Sequence, residues 1–338
     1  MKSIQLETPG KFREIKENEP IRQSGEALVR VQRIGVCGTD IHAFNGRQPF
    51  FEYPRILGHE LGVEVVEVDP DNDFGIEAGD RCSIEPYMND ANSPASRSGK
   101  SNCCESLNVI GVHSDGGMRP LITVPTHKLH KSKSLSYDQL ALIETLCIGA
   151  HGIERSFLKE GENALVIGTG PIGLGAIQYA MSLGNRVIVA DISEERLAFC
   201  RDVIKVPHAL KADEPDFEDQ LRAACDGNLP HVVLDATGNR FSMQRTFELA
   251  AHGGRIVFVG LLMGDISFDD PNFHKRELTL MASRNATPDT FKKVIAAVES
   301  GAIDTKPWIT HRMAISEVPE SFAATIAEPN LIKAIIEV

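Results

Sequence analysis

The spacing of apolar and polar residues along the chain changes near residue 161. Before that point, short segments alternate with period two, as in Ala27–Ile34 and Val63–Val68, and this alternation predicts half-buried strands. Clusters of turn-forming residues at Asp69–Asp73 and Asn89–Pro94 predict loops between such segments. The first part of the chain is therefore predicted to form an irregular β-rich domain.

From about residue 161, apolar runs alternate with helical patterns. The predicted strands are Ala164–Gly168, Arg186–Asp191, His231–Asp235 and Gly254–Gly260, and the clearest helices between them are Pro171–Leu183 and Glu194–Val203, the latter capped by Ser193. This alternation favours an α/β class with a parallel sheet that has helices on both faces. After about residue 284, two more helical stretches and a last strand, Lys333–Glu337, are predicted.

Length and charge limit the classes of function. A chain of 338 residues predicts about two domains, and its net charge of −12 without a basic stretch argues against a nucleic-acid partner. No apolar run approaches the roughly 20 residues of a membrane span. The first residues, MKSIQLETPG, lack the apolar segment of a secretion signal, and seven cysteines do not form an even disulfide framework. A cytoplasmic protein is therefore expected.

The segment Gly168–Gly173 has the glycine pattern of a dinucleotide-binding turn. It follows a predicted strand and opens a predicted helix, and Asp191 ends the next strand. Gly168 allows a tight turn, Gly170 allows the backbone to approach a pyrophosphate, and Gly173 allows close packing of helix and strand. Asp191 can accept hydrogen bonds from ribose hydroxyls and would repel a 2′-phosphate, which favours NAD over NADP. The alternative is a structural turn with a surface aspartate.

A thiol, an imidazole and a carboxylate lie close in the sequence at Cys37, His59 and Glu60. Together they form a plausible zinc set that is one ligand short of tetrahedral closure, as in catalytic zinc sites. Glu144 lies in the apolar stretch Leu140–Ile148, where an unpaired carboxylate would be costly to bury, and a metal is one natural partner. Taken singly, the cysteine is also consistent with a small buried residue, and the acids and the histidine with solvent exposure.

With these motifs the sequence resembles the zinc-dependent medium-chain dehydrogenases, in their sorbitol/threonine-dehydrogenase-like branch. The resemblance rests on Cys37–His42, Gly58–Glu60, Gly168–Gly173 and Asp235–Gly238. It looks closest to L-galactonate 5-dehydrogenase-like proteins through Gln48–Phe51, Gly111–His113, Phe258–Leu261 and Ser283–Thr287. The resemblance implies a GroES-like catalytic domain over 1–147, a Rossmann NAD-binding domain over 148–283, and a return to the catalytic domain over 284–338.

The resemblance also implies roles for individual residues. Cys37, His59, Glu60 and Glu144 fall on the positions of the catalytic zinc, with both glutamates counted as catalytic too, and Thr39 and His42 fall on the proton relay. The implied cofactor contacts are Gly168, Gly170, Pro171, Ile172, Gly173, Asp191, Arg196, Thr237, Val259, Gly260, Leu261 and the basic Arg284.

The chain departs from the family pattern in three places. The family commonly carries a second, structural zinc on four cysteines, and those positions are occupied here by Asp90, Ser93, Ser96 and Cys104. One zinc per chain is therefore predicted, since serine hydroxyls replace thiolates poorly. Met118–Leu121 and Thr145, which stands where the family usually has proline, also differ and weaken any transfer of the exact substrate.

The function implied is NAD-dependent oxidation of a secondary alcohol of a sugar acid or polyol to the ketone, with an L-galactonate-like hexonate favoured. Alternatives are a threonine, polyol or polyol-phosphate dehydrogenase, and a non-catalytic NAD-binding regulator, which the open zinc set argues against. A sugar-acid carboxylate needs a cation, for which Arg47, Arg119 and Lys275 are candidates. Family resemblance also implies a homo-oligomer, either a dimer or a tetramer.

The charge of the implied zinc set leads to one more expectation. Three anionic ligands leave the site with a net negative charge, and a bound substrate alkoxide would add to it. One carboxylate, Glu60 or Glu144, is therefore expected to leave the metal when substrate binds.

Overall fold

The structure is a computed structural model that describes residues 1–49 and 51–338. Phe50, which belongs to the motif Gln48–Phe51, lies outside the described residues. The described chain divides into two compact units. Unit 1 comprises Met1–Thr145 and Thr287–Val338, and unit 2 comprises Leu146–Ala286.

The elements are numbered in chain order. The strands are β1 Lys2–Thr8, β2 Lys11–Lys16, β3 Glu26–Gly35, β4 Glu60–Glu67, β5 Arg81–Ile84, β6 Tyr87–Met88, β7 Asn108–Val109, β8 Leu121–Pro125, β9 Leu129–Lys131, β10 Asn163–Ile167, β11 Arg186–Asp191, β12 His208–Lys211, β13 Val232–Asp235, β14 Arg255–Phe258, β15 Thr279–Ala282, β16 Ile309–Ala314 and β17 Lys333–Glu337. The α-helices are α1 Gly38–Phe44, α2 Pro94–Arg97, α3 Tyr137–Arg155, α4 Pro171–Ser182, α5 Glu194–Phe199, α6 Phe217–Ala224, α7 Arg240–Leu249, α8 Asp270–Lys275, α9 Pro288–Glu299 and α10 Val318–Ile326. Within the described ranges, no helix combines the length and the apolar character that a membrane span requires.

Unit 1 is built on a mixed sheet in which β3 is central. The strand order is β16-β17-β3-β4-β5-β9, and β8 also pairs with β3. The last strand, β17, pairs antiparallel with β3, so the end of the chain belongs to the same sheet as residues 26–35. One apolar cluster, which includes Val29, Ile34, Leu61 and Ile336, forms the core of this unit. The predicted β-rich first domain is confirmed.

Unit 2 contains the predicted parallel sheet. All five strand pairings are parallel, and the order is β12-β11-β10-β13-β14-β15. The chain leaves β10 for β11 on one side and later returns to β13 on the other, so the strand order reverses beside β10. Doubly wound sheets bind ligands at such a switch point, outside the carboxyl ends of the strands. The loop Gly168–Gly170 follows β10 at this end.

Helices α4 and α5 begin as the sequence predicts. Pro171 is at the first position of α4, where its missing N–H costs nothing, and the Ser193 side chain caps α5 by accepting a hydrogen bond from the Arg196 N–H. The predicted helix Glu194–Val203 is less regular than expected. The α-helix ends at Phe199 and the chain continues as a π-helical turn, Cys200–Ile204.

Candidate active site

Three potential metal ligands converge in unit 1 at the ends of two paired strands. Cys37 lies just after β3 and precedes α1, and Glu60 begins β4 directly after His59. Gly35 and Glu60 are register partners in the β3–β4 pair, which brings the two strand ends together. The thiol, imidazole and carboxylate ligand atoms all lie within 4.8 Å of one another. Sulfur, nitrogen and oxygen donors in this number fit zinc, with a position left for another ligand.

The Asp40 carboxylate contacts both Cys37 and His59, a role that the sequence analysis did not assign. Its Oδ2 accepts a hydrogen bond from the Cys37 N–H at 2.9 Å, and its Oδ1 lies 3.8 Å from His59 Nδ1. This carboxylate therefore faces one ring nitrogen of His59, as carboxylates behind metal-binding histidines do. Burial raises the pKa of Asp40. Burial alone would lower the pKa of His59, but Cys37 and Asp40 outweigh it and raise that pKa well above its usual range.

Lys333 is a buried cation beside the metal ligands, and the sequence analysis missed it. Its Nζ donates a hydrogen bond to Glu60 Oε1 at 2.5 Å and lies 2.5 Å from Glu60 Oε2. The same Nζ donates to Thr145 Oγ1 at 3.1 Å. Burial alone would lower the pKa of Lys333, but the nearby Glu60 and Cys37 have the larger combined effect and raise it. The only signal in the sequence is a lysine at the start of an apolar strand.

Glu144 is buried on α3 in the same unit. Its Oε1 accepts a hydrogen bond from the Tyr87 hydroxyl, and burial raises the pKa of its carboxyl group. Among the residues that the structure describes, the close group of ligand atoms consists of Cys37, His59 and Glu60 and does not include Glu144. Its assignment as a fourth ligand stays a prediction.

The two predicted proton-relay residues lie on α1, one turn apart. Thr39 is half-buried and His42 is exposed to solvent. Residues three apart in a helix share a face. The spacing is compatible with a path from a shielded hydroxyl to a solvent-exposed imidazole, and both roles stay predictions.

A cavity of about 450 Å³ lies in unit 2 at the carboxyl ends of the parallel strands. Five predicted cofactor residues line it: Gly168, Gly170, Asp191, Arg196 and Thr237. The other predicted residues, Pro171, Ile172, Gly173, Val259, Gly260, Leu261 and Arg284, are not among its lining residues in the described part of the chain. Lining residues that the sequence analysis missed include Ile192, Asn239, Phe241 and Arg245, for which the glycine pattern gives no signal.

The glycine turn has the backbone that its sequence predicts. Gly168 adopts a φ of 90°, and a Cβ on Gly173 would lie 1.8 Å from the Gly168 carbonyl oxygen. A Cβ on Gly170, by contrast, would meet nothing closer than the Arg196 guanidinium at 3.7 Å. The start of α4 is therefore open to a negatively charged group, which fits the pyrophosphate of a dinucleotide.

Asp191 is buried and held by three hydrogen bonds. Its Oδ2 accepts from the Thr169 N–H at 2.7 Å and from Thr169 Oγ1 at 2.8 Å, and its Oδ1 accepts from the Ser193 N–H at 3.0 Å. A carboxylate has about four acceptor positions. One position on Oδ1 therefore remains for a further donor, which fits a ribose hydroxyl.

The candidate cations for a substrate carboxylate have different surroundings. Arg47 is exposed just after α1, and Lys275 is exposed on α8 in unit 2. Arg119 donates to the Gly116 carbonyl at 3.0 Å, and its guanidinium lies 3.6 Å from Glu17. Arg47 and Arg119 belong to the unit that contains the metal ligands and Lys275 to the other unit, and the role of each stays a prediction.

Hydrogen bonds connect the four positions that hold structural zinc in the family. Ser93 and Ser96 hydroxyls are 3.0 Å apart, Asn89 Nδ2 donates to Ser96 Oγ at 3.0 Å, and the Asp90 N–H donates to Cys104 Sγ at 3.3 Å. Hydrogen bonds from Ser106 and Ser93 lower the pKa of Cys104 to about 7. Hydrogen bonds of short side chains and of the Asp90 backbone thus join these positions.

Comparisons with known proteins agree with this geometry. The family model described as alcohol dehydrogenase GroES-like domain matches residues 23–134, and the one described as zinc-binding dehydrogenase matches residues 171–300. L-Galactonate-5-dehydrogenase of Escherichia coli K12 is 42% identical over 94% of this chain and 93% of its own length. D-Altritol 5-dehydrogenase of Agrobacterium fabrum is 31% identical, with 91% of each chain covered. Among solved structures, an alcohol dehydrogenase from Escherichia coli CFT073 complexed with NADH has a TM-score of 0.91 and 27% identity, covering 100% of this chain and 99% of that one.

The fold, the ligand group and the cofactor turn agree with these matches. The two family models together cover most of the chain, and the similar proteins align over nearly their whole length. The chain belongs to the zinc-binding dehydrogenase family, with a GroES-like domain and a Rossmann-type domain, and it is an NAD(H)-dependent oxidoreductase that acts on CH–OH groups.

Proposed function

We propose that this enzyme uses zinc and NAD to oxidise a secondary alcohol of a sugar acid or polyol to the ketone, with an L-galactonate-like hexonate as the favoured substrate. The observation behind the reaction type is the group of Cys37, His59 and Glu60, whose ligand atoms lie within 4.8 Å of one another. The observation behind the substrate class is the 42% identity to an L-galactonate dehydrogenase over nearly the whole chain.

Cys37, His59 and Glu60 hold the zinc in this proposal, with Glu144 as a fourth ligand or as an acceptor of substrate hydrogen bonds. Zinc, when bound, acts as a Lewis acid that lowers the pKa of the substrate hydroxyl. Asp40 orients His59 so that its other ring nitrogen faces the metal. Thr39 would accept the hydroxyl proton while it releases its own, and that proton would pass through the cofactor ribose to His42, which is exposed, and from there to solvent.

The glycine turn and Asp191 hold the cofactor. NAD, when bound, accepts the hydride, and the protein contributes orientation and electrostatics. The open start of α4 at Gly170 receives the pyrophosphate, and the free position on Asp191 Oδ1 receives a ribose hydroxyl. Arg196 and Thr237 border the same cavity, and Val259, Gly260, Leu261 and Arg284 complete the proposed cofactor contacts.

Three further assignments belong to the proposal. Each chain binds one zinc, because the positions of the structural site are occupied by Asp90, Ser93, Ser96 and Cys104. The enzyme is a homo-oligomer, a dimer or a tetramer, by its family resemblance. It is cytoplasmic, which agrees with seven free thiols.

A substrate screen with metal analysis tests the proposal. NADH absorbance is followed with hexonates, polyols, polyol phosphates and threonine, and the zinc content of the same preparation is measured. We expect the highest kcat/KM with a hexonate, and we expect Cys37→Ser to lose both zinc and activity because zinc needs the thiolate. NADH formation with threonine as the best substrate, or with none of these compounds, would contradict the proposal.

A further inference from the structure

The Glu60 carboxylate in unit 1 can bind either of two positively charged partners, a metal ion or Lys333. It belongs to the group of potential metal ligands, and both of its oxygens lie 2.5 Å from Lys333 Nζ. The side chains of Glu60 and Lys333 are only 1% and 2% exposed, so neither charge can turn to water instead. A buried ammonium needs such partners, and Thr145 Oγ1 provides one more acceptor at 3.1 Å.

The contact is possible because the strand between the two residues has a glycine, Gly35, at this point and therefore no side chain in the way. Glu60 is on β4 and Lys333 is on β17, and β3 lies between these strands. Gly35 on β3 pairs with Glu60 on one side and with Ile335 on the other. A Cβ on Gly35 would lie 2.1 Å from Glu60 Oε2. The absence of a side chain at this position therefore lets the carboxylate cross β3 and reach the lysine.

Thr145 belongs to the same arrangement. Its side chain is buried and carries a hydroxyl. Its Oγ1 accepts a hydrogen bond from Lys333 Nζ, so the ammonium is held from a second side. The ammonium therefore has one neutral acceptor in addition to the Glu60 carboxylate.

We infer that Lys333 is a positioning residue that competes with zinc for the Glu60 carboxylate. The inference rests on the proposed zinc-dependent function. When Lys333 holds the carboxylate, the metal site loses one anionic donor and retains Cys37 and His59, which leaves a position for a substrate hydroxyl. The sequence alone does not distinguish whether Glu60 or Glu144 leaves the metal. The ion pair with Lys333 identifies Glu60 as the carboxylate that leaves.

The inference predicts that removing the lysine strengthens zinc binding and slows turnover. With Lys333→Met the carboxylate has only the metal as a partner, so we expect zinc to bind at least about tenfold more tightly, because charges a few Å apart interact strongly inside a protein. We expect kcat to fall by a similar factor. If the ion pair were merely structural, its loss in Lys333→Met would instead loosen the site, and zinc would dissociate more easily.

A double-mutant cycle separates competition for the carboxylate from simple repulsion of zinc by the lysine. Zinc dissociation constants are measured on the full-length wild type, Lys333→Met, Glu60→Gln and the double variant, with a chromogenic chelator as competitor. If the lysine only repels zinc, Lys333→Met should lower the zinc dissociation constant by the same factor in the wild type and in Glu60→Gln. If the lysine competes for the carboxylate, the factor should be larger when Glu60 is present. Lys333→Arg keeps a positive charge, so its zinc dissociation constant should lie nearer to that of the wild type than the constant of Lys333→Met does.

The outcomes distinguish this inference from the proposed function. Weaker zinc binding in Lys333→Met, or equal tightening in both backgrounds, overturns the inference alone. A wild type that binds no zinc overturns the proposed function. If Lys333→Met does not fold, a crystal structure of the zinc-loaded wild type decides. A Glu60 that bonds to Lys333 with neither oxygen on zinc supports the inference, and a Glu60 with an oxygen on zinc, whether or not the other oxygen contacts Lys333, overturns it.

Discussion

At the scale of single residues, both candidate sites depend on buried charges whose partners lie far away in the sequence. Asp191 could be predicted because it ends a strand after the glycine turn. Thr169 could not, because the G-x-G pattern leaves its middle residue free, and the hydrogen bond joins residues 22 positions apart. Lys333 and Glu60 are 273 positions apart. Such pairs depend on the tertiary structure, and a single sequence gives no signal for them.

Asp191 and Thr169 should together determine the preference for NAD. We expect Asp191→Ala to reduce kcat/KM for NAD by at least about tenfold and to relax the discrimination against NADP, because one hydrogen bond to a charged group contributes about 1.5–3 kcal/mol. Thr169→Val removes the hydroxyl bond to Asp191 Oδ2 and keeps the backbone bond. It should weaken NADH binding severalfold.

Thr169→Ser is the matched control, since it keeps the hydroxyl and should behave nearly as wild type. NADH affinity from fluorescence titration and kcat/KM with each cofactor measure these effects. A wild type that uses NADP as efficiently as NAD would show that Asp191 does not have this role.

At the scale of elements, the sequence predicts unit 2 better than unit 1. Strands buried on both faces of a parallel sheet appear as continuous apolar runs, and β10, β11, β13 and β14 were all predicted close to their observed bounds. The pairing of β17 with β3 joins the two ends of the chain, and no local pattern could indicate it. The two-residue strands β6 and β7 are too short to show a period.

The segment around α2 is held by a buried ion pair in addition to its own hydrogen bonds. Lys128 Nζ donates to Glu85 Oε1 at 2.5 Å and to Asn89 Oδ1 at 2.9 Å, and Asn89 in turn donates to Ser96 Oγ. His130 Nε2 lies 3.1 Å from the other Glu85 oxygen. Lys128 and Glu85 are almost fully buried. These contacts join the segment to Glu85, which follows β5, and to Lys128, which precedes β9.

We therefore expect elemental analysis to find about one zinc per chain. Only Cys104 keeps a thiol at the four positions, and serine hydroxyls bind zinc poorly. A variant with Asp90→Cys, Ser93→Cys and Ser96→Cys should raise the zinc content to about two, because it restores four thiolates in the family spacing. About two tightly bound zinc ions in the wild type would contradict the prediction.

At the scale of the whole molecule, each unit has an apolar core of its own. The core of unit 1 includes residues near both ends of the chain, such as Ile4 and Ile336, and the core of unit 2 is formed by residues between Leu165 and Leu278. Two of the potential metal ligands also have charged neighbours within the protein, since Glu60 pairs with Lys333 and Asp40 lies 3.8 Å from His59. Hydrophobic burial, the main driving force of folding, therefore does not depend on the metal.

Chelation should consequently abolish turnover and leave the chain folded. Bound zinc stabilises the folded state by mass action, by about 4 kcal/mol at a free concentration 1,000-fold above its dissociation constant. For a domain of about 150–250 residues, each kcal/mol corresponds to about 2–4 °C in Tm. We therefore expect a chelator to lower Tm by about 8–16 °C while the far-UV circular dichroism at 25 °C stays unchanged. Zinc, but not magnesium, should restore activity, because the ligand set includes a thiolate. Loss of the circular dichroism signal at 25 °C upon chelation would show instead that folding of unit 1 requires the metal.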